Sequence, residues 1–154
     1  MSAESTDPIS EEAPLNLGLL CFIVQRAMEE RVLADLAAAG FDDITPAQAR
    51  LFARVSPDGT RVSDLAEQSH VTKQTAGFLV DHLERAGYAR RVPDPTDGRA
   101  RLVQIAERGH AAIQVARCTE ATVQAEWTRH LGRRTTTQLH QTLTRLREIT
   151  DPYR

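Results

Sequence analysis

Four consecutive side chains, Thr72, Lys73, Gln74 and Thr75, open a helical run with two hydroxyls, an ammonium group and a primary amide. An amide can pair in two places with adenine, an ammonium can approach guanine or a phosphate, and hydroxyls bond either kind of oxygen. That chemistry is recognition by hydrogen bonding. Further along, Arg90, Arg91, Arg99 and Arg101 crowd one short stretch, opposed there only by Asp94 and Asp97. The loop Asp94-Pro95-Thr96-Asp97-Gly98-Arg99 sets Arg99 at a tip, where a narrow minor groove attracts a guanidinium and where Asp97 can hold it extended. Arg61 lies just before the helix pair, in reach of a phosphate and equally of solvent. A plainer reading stands beside this one: Thr72 only caps its helix, the next three residues form a solvated first turn, and Arg99 closes a turn-stabilising ion pair.

The elements that must position these groups follow from local signals. Ser63 is placed to cap a short helix from Asp64 to Gln68, and Asp64 suits its positive end. After the turn Ser69-His70-Val71, Thr72 caps a second helix that runs to Ala86 and stops at Gly87. Two such helices joined by a tight turn are the unit that enters a major groove. Tyr88 to Val92 and the alternating Arg101 to Ile105 pair as a hairpin beside it, a shape suited to the minor groove.

Around this lobe the chain is helical. Leu15 to Ala39 carries Leu19, Phe22, Ile23, Met28, Val32, Leu33 and Leu36 at mixed spacings of three and four, and Gly40 ends the run. Apolar residues cover much of its girth, which predicts contact with a second chain as well as with its own core. Thr45-Pro46-Ala47-Gln48 reads as a capping box with proline at the first helical position, opening a helix to about Val55. Glu107 to Trp127 is alanine-rich and helical, Leu131-Gly132 breaks it, and Arg134 to Ile149 bears a narrow stripe of Leu139, Leu143 and Leu146. Residues 1–14, rich in Ser, Glu and Pro, read as a disordered acidic tail.

At 154 residues the chain suits one domain. A net charge of −2 denies it a global basic footprint, so any nucleic-acid site must rest on local charge, and 5% aromatic residues disfavour a stacking platform for single strands. The two cysteines, Cys21 and Cys118, form no CxxC motif and point to a reducing cytoplasm. No basic residue precedes Arg26, so a cationic leader is not expected, and the run Leu17 to Val24 is too short to span a bilayer. No GxSxG, P-loop or GxGxxG motif occurs, and His110, His130 and His140 show no compact ligand spacing. Neither an enzyme, a cofactor nor a metal site is expected.

Ser63-Asp64-Leu65-Ala66, Val71-Thr72-Lys73-Gln74-Thr75, Leu83-Glu84-Arg85-Ala86-Gly87-Tyr88 and the loop from Asp94 to Arg99 resemble the multiple antibiotic resistance regulator (MarR) family of winged-helix repressors. The resemblance covers residues 15–150. It implies a mainly α fold with a small β-hairpin wing: a winged helix-turn-helix lobe at 45–105, flanked by dimerisation helices at 15–40 and 107–150. It also implies a homodimer on a pseudo-palindromic operator in double-stranded DNA, released by a small-molecule effector held between the dimer helices and the lobe. Two residues depart from the family. Phe78 stands where many members have a basic residue, and Ala106 where they carry a Thr or Ser cap.

Leu20-Cys21-Phe22 resembles the reactive-cysteine segment of the hydroperoxide-sensing branch, in which tyrosines hydrogen-bond the sulfur. Here only Tyr88 and Tyr153 are offered, so Cys21 reads as a small buried hydrophobe, with thiol sensing as the alternative. A winged-helix module that docks protein and binds no DNA is the rival from another class.

Overall fold

The computed structural model describes residues 14–153. All but the last residue of the expected tail lies outside them. Helix α1 (Leu17–Ala38) starts on Asn16, whose side chain accepts the Leu19 N–H at 2.9 Å, two residues later than its apolar pattern suggests. Helix α2 (Pro46–Phe52) opens on the expected capping box: Thr45 Oγ1 accepts the Gln48 N–H at 3.3 Å and Gln48 Oε1 accepts the Thr45 N–H at 2.9 Å. It ends three residues before Val55.

Strand β1 (Thr60–Arg61) and helix α3 (Val62–Gln68) correct the sequence reading. The strand was not foreseen, and the helix begins two residues early, on Arg61, with no side-chain cap. Ser63 sits inside the first turn. The cause is non-local: Thr60 pairs with Val103 and Arg61 with Leu102, so the helix start is set by the sheet. Helix α4 (Lys73–Arg85) begins on Thr72, whose hydroxyl accepts the Thr75 N–H at 3.1 Å. Gly87, at φ +81°, turns the chain out of it.

Strands β2 (Ala89–Asp94) and β3 (Asp97–Ile105) form the hairpin, and both run further toward the tip than expected. The sheet is antiparallel throughout, in the order β1-β3-β2. Helix α5 (Glu107–Leu131) continues four residues beyond Trp127, and α6 (Arg133–Thr150) follows across Gly132, whose φ of +84° separates the two helices.

The core lies inside the lobe. Leu51, Leu65, Val80, Leu83, Tyr88 and Val103 are buried from α2, α3, α4 and the sheet, so one apolar cluster fixes α4 against its neighbours. Arg108 joins this cluster to the long helices. Its guanidinium donates to Asp43 and to the carbonyl of Ala86, and lies 4.4 Å from the Tyr88 ring centre. The buried Tyr88 hydroxyl donates to the same Asp43 carboxylate, so one acid in the loop between α1 and α2 ties α5 to the residue that leads into β2. Thr119 and Glu126 on α5 then reach back to Asp35 and Arg31 on α1.

The missing cap expected at Ala106 is present as a local weakness. Ala106 holds the N-cap position of α5 in extended backbone and supplies no side-chain bond. Because that geometry already suits serine, Ala106→Ser should raise stability by about 1 kcal/mol, read as a higher urea midpoint. An unchanged midpoint would show that the end of β3 fixes the junction by itself.

Candidate nucleic-acid interface

Helix α4 buries Ala76, Val80 and Leu83 and exposes Lys73, Gln74, Thr75 and Phe78. At about 100° per residue, Gln74, Phe78, Asp81 and Arg85 lie opposite the buried stripe. The four residues singled out for base contact, Thr72 to Thr75, are all exposed at the start of the helix, and of them Gln74 lies on the face opposite the buried stripe. They are not equivalent, however. The Thr72 hydroxyl is spent on capping and on a 2.9 Å bond to Thr75 Oγ1, whereas Lys73 and Gln74 make no side-chain bond among the described residues.

The wing is built around Asp94, an acid the sequence reading counted only as opposing charge. Asp94 is buried at 6% exposure, and its Oδ1 accepts both the N–H and the hydroxyl of Thr96 at 2.8 and 2.7 Å. Its Oδ2 accepts two bonds from Arg61, at 2.9 and 2.6 Å. Arg61, expected at a phosphate, thus spans from β1 to the last residue of β2. Its guanidinium also comes within 3.7 Å of Asp97.

Bonds from the Thr96 hydroxyl and N–H, then from Arg61, hold the Asp94 carboxyl at about 2, below its usual 3.8. A depressed acid contributes stability that is complete above pH 3.8 and lost as pH falls toward 2. Asp94→Asn should consequently lower stability near neutral pH and flatten its decline over that acid window, read as unfolding midpoints against pH. An undiminished acid slope would assign the decline to other carboxylates.

Beyond Asp94 the ladder loses register. Pro93 faces Arg101, but Asp94 faces Asp97, which leaves Gly98, Arg99 and Ala100 without cross-strand partners and puts Arg99 out on an exposed tip. Asp97 does brace Arg99, though not through the guanidinium. Its Oδ1 accepts the Arg99 backbone N–H at 3.1 Å, so the side chain is positioned by its turn and its charge is left unneutralised.

The basic cluster of the hairpin divides in two. Arg91 is consumed by α4: it bonds Asp81 at 2.7 Å and both the carboxylate and, through its backbone N–H, the same Glu84 side chain. That arrangement sets one cation between two acids beside the exposed face of the helix. Arg90, Arg99 and Arg101 have no acidic partner within ion-pair distance among the described residues, and neither has Lys73. Arg90 pairs in register with Gln104 and donates to it at 3.3 Å, whereas Arg91 pairs with Val103, so Arg90 stands on the opposite face of the sheet from Arg91. Arg99, Arg101 and Lys73 are therefore the better-placed cations.

The remaining candidates fall outside this surface. Cys21 is exposed on α1, not buried, and Cys118 is exposed on α5. The Tyr88 hydroxyl is committed to Asp43 and offers no bond to either thiol. Among the described residues no group of three or more His, Cys, Asp or Glu gathers as a metal site, and no helix is long and apolar enough to cross a membrane.

Residues 42–100 match the sequence model of the MarR family. Wild-type MarR from E. coli in its apo form shares the fold with a TM-score of 0.68 at 22% identity, over 86% of this chain and 97% of that one. A transcriptional regulator of Thermotoga maritima aligns with a TM-score of 0.62 at 24% identity, over 87% and 93% of the two chains. A MepR variant from S. aureus, solved bound to an oligodeoxyribonucleotide, gives 0.57 at 19% identity, over 86% and 96%. No curated protein matches the chain in sequence. The matched segment, which holds the helix pair and most of the wing, is thus similar in sequence to the MarR family, and with the long helices the chain has the fold of the solved MarR structures.

Proposed function

We propose that the chain is a transcriptional regulator, a homodimeric repressor that binds duplex DNA with α4 in the major groove and the wing tip in the minor groove. One observation carries the reading. In a chain of net charge −2, Arg61 and Arg91 each bridge two of the acids that flank α4 and the wing, while Lys73, Arg99 and Arg101 are exposed on that one lobe with no acidic partner among the described residues. Such local charge is what phosphate contact requires. The MepR relative was solved with an oligodeoxyribonucleotide, which supports the same direction.

Dimerisation is supported by the apolar residues that the single chain leaves open: Leu17, Leu20, Phe22, Ile23 and Val24 on α1, and Leu139 and Leu143 on α6. So extended an apolar surface is unusual on a monomer. Release by a small molecule is supported by a cleft of about 430 Å³ between α1, α2 and the end of α3, lined by Met28, Val32, Ala49, Ala53 and Ser69 among others. A cytoplasmic, non-enzymatic role follows from the same reading. The thiol-sensing alternative draws on the exposure of Cys21 and lacks a tyrosine to activate it.

The test is retention on duplex DNA at low salt. Phosphate contacts release counterions, so binding should fall steeply as salt rises. Failure to bind any duplex, or binding indifferent to salt, would favour the rival reading in which the lobe docks protein.

A further inference from the structure

Phe78 is 61% exposed, at the middle of the helix face opposite the buried stripe, in company with Gln74, Asp81 and Arg85. Packing within the lobe cannot explain it, since Val80, Ala76 and Leu83 already seat the helix on the core. Its ring is not loose. The His82 imidazole stands edge-on to it with ring centres 4.5 Å apart, which fixes the aromatic face one turn beyond Gln74. Asp81 on that face is held by Arg91 at 2.7 Å, which offsets part of its repulsion toward DNA there.

A major groove offers one apolar group to such a ring, the 5-methyl of thymine. We propose that Phe78, steadied by His82, is a specificity-determining residue that reads a thymine methyl in each half-site. The inference rests on α4 occupying the major groove as proposed above. An aromatic ring at this position would discriminate thymine from cytosine by the methyl that only thymine carries.

The probe is the duplex recovered by selection from random sequences, with each thymine replaced singly by uracil, which removes the methyl and leaves every hydrogen-bonding edge intact. Burial of one methyl predicts that one thymine per half-site loses about four-fold in affinity on replacement. Phe78→Leu, still apolar, should keep that sensitivity, and Phe78→Ala should bind more weakly and treat the two bases alike. Far-ultraviolet circular dichroism should be unchanged, because the ring lies outside the core. If the parent binds thymine and uracil duplexes equally but still loses affinity with salt, the methyl assignment is overturned and DNA binding stands. Equal methyl sensitivity in the parent and in Phe78→Ala would move the contact to another residue, and no binding to any duplex would overturn both readings.

Discussion

Gly109→Ala is expected to lower the unfolding temperature by roughly 5 to 10 °C, although alanine is the better helix former. A β-carbon at this position would lie 2.2 Å from the carbonyl oxygen of Tyr88, 2.8 Å from the Phe52 ring and 3.0 Å from Ile105 Cγ2. None of these can yield cheaply. The Tyr88 carbonyl accepts the Ala106 N–H at 2.9 Å, so moving it breaks the bond that seats α5 on the sheet, and Tyr88 itself is wholly buried. Overpacking of a filled core costs on the order of 1 to 3 kcal/mol, against a propensity gain of about 1 kcal/mol or less, and backbone as the obstacle puts this site at the upper end. Gly77→Ala is the control: nothing lies within 4 Å of its added β-carbon, so the same change in the middle of α4 should stabilise by about 0.5 to 1 kcal/mol. If both variants were equally stable, α5 would not be packed as closely on Tyr88 as described.

Arg99→Ala should weaken duplex binding by about 5- to 150-fold, a loss on the order of 1 to 3 kcal/mol, and leave thermal stability within about 0.5 kcal/mol of the parent. The separation of the two effects follows from its bonding. Among the described residues the Arg99 side chain makes no hydrogen bond and is exposed, and its backbone N–H donates to Asp97, a bond that alanine retains. The slope of log affinity against log salt should also fall by about 1. Changing Arg61 or Arg91 would confound affinity with stability, because the first anchors the buried Asp94 and the second pins the wing to α4. Equal affinity of parent and Arg99→Ala across a salt titration would remove the wing tip from the interface.

The contrast among these arginines marks where sequence reading ends. Thr45 with Gln48, Thr72, Gly87 and the Asp94 to Arg99 loop were legible because caps and turns are decided within a few residues. Strand β1 was not, because two residues have no periodicity and Thr60 and Arg61 become a strand only against Val103 and Leu102. The same distance hid the Arg61–Asp94 pair, and with it the fact that the basic hairpin spends Arg91 on α4 and keeps Arg99 and Arg101 free of acidic partners among the described residues. Residue types along a chain give the sum of charge. Only the fold assigns which charges cancel. Cys21 shows the converse: its apolar neighbours suggest burial, yet on α1 those neighbours are themselves exposed in the single chain.

Selection of bound sequences from a pool of random duplexes tests the central claim most directly, since it asks at once for DNA binding, sequence preference and two-fold symmetry. The account predicts enrichment of an inverted repeat whose half-sites are centred about 10 base pairs apart, or a multiple of that spacing, with altered base preference in the repeat when Gln74 is replaced by alanine. A recovered pool no different in sequence from the input would contradict it.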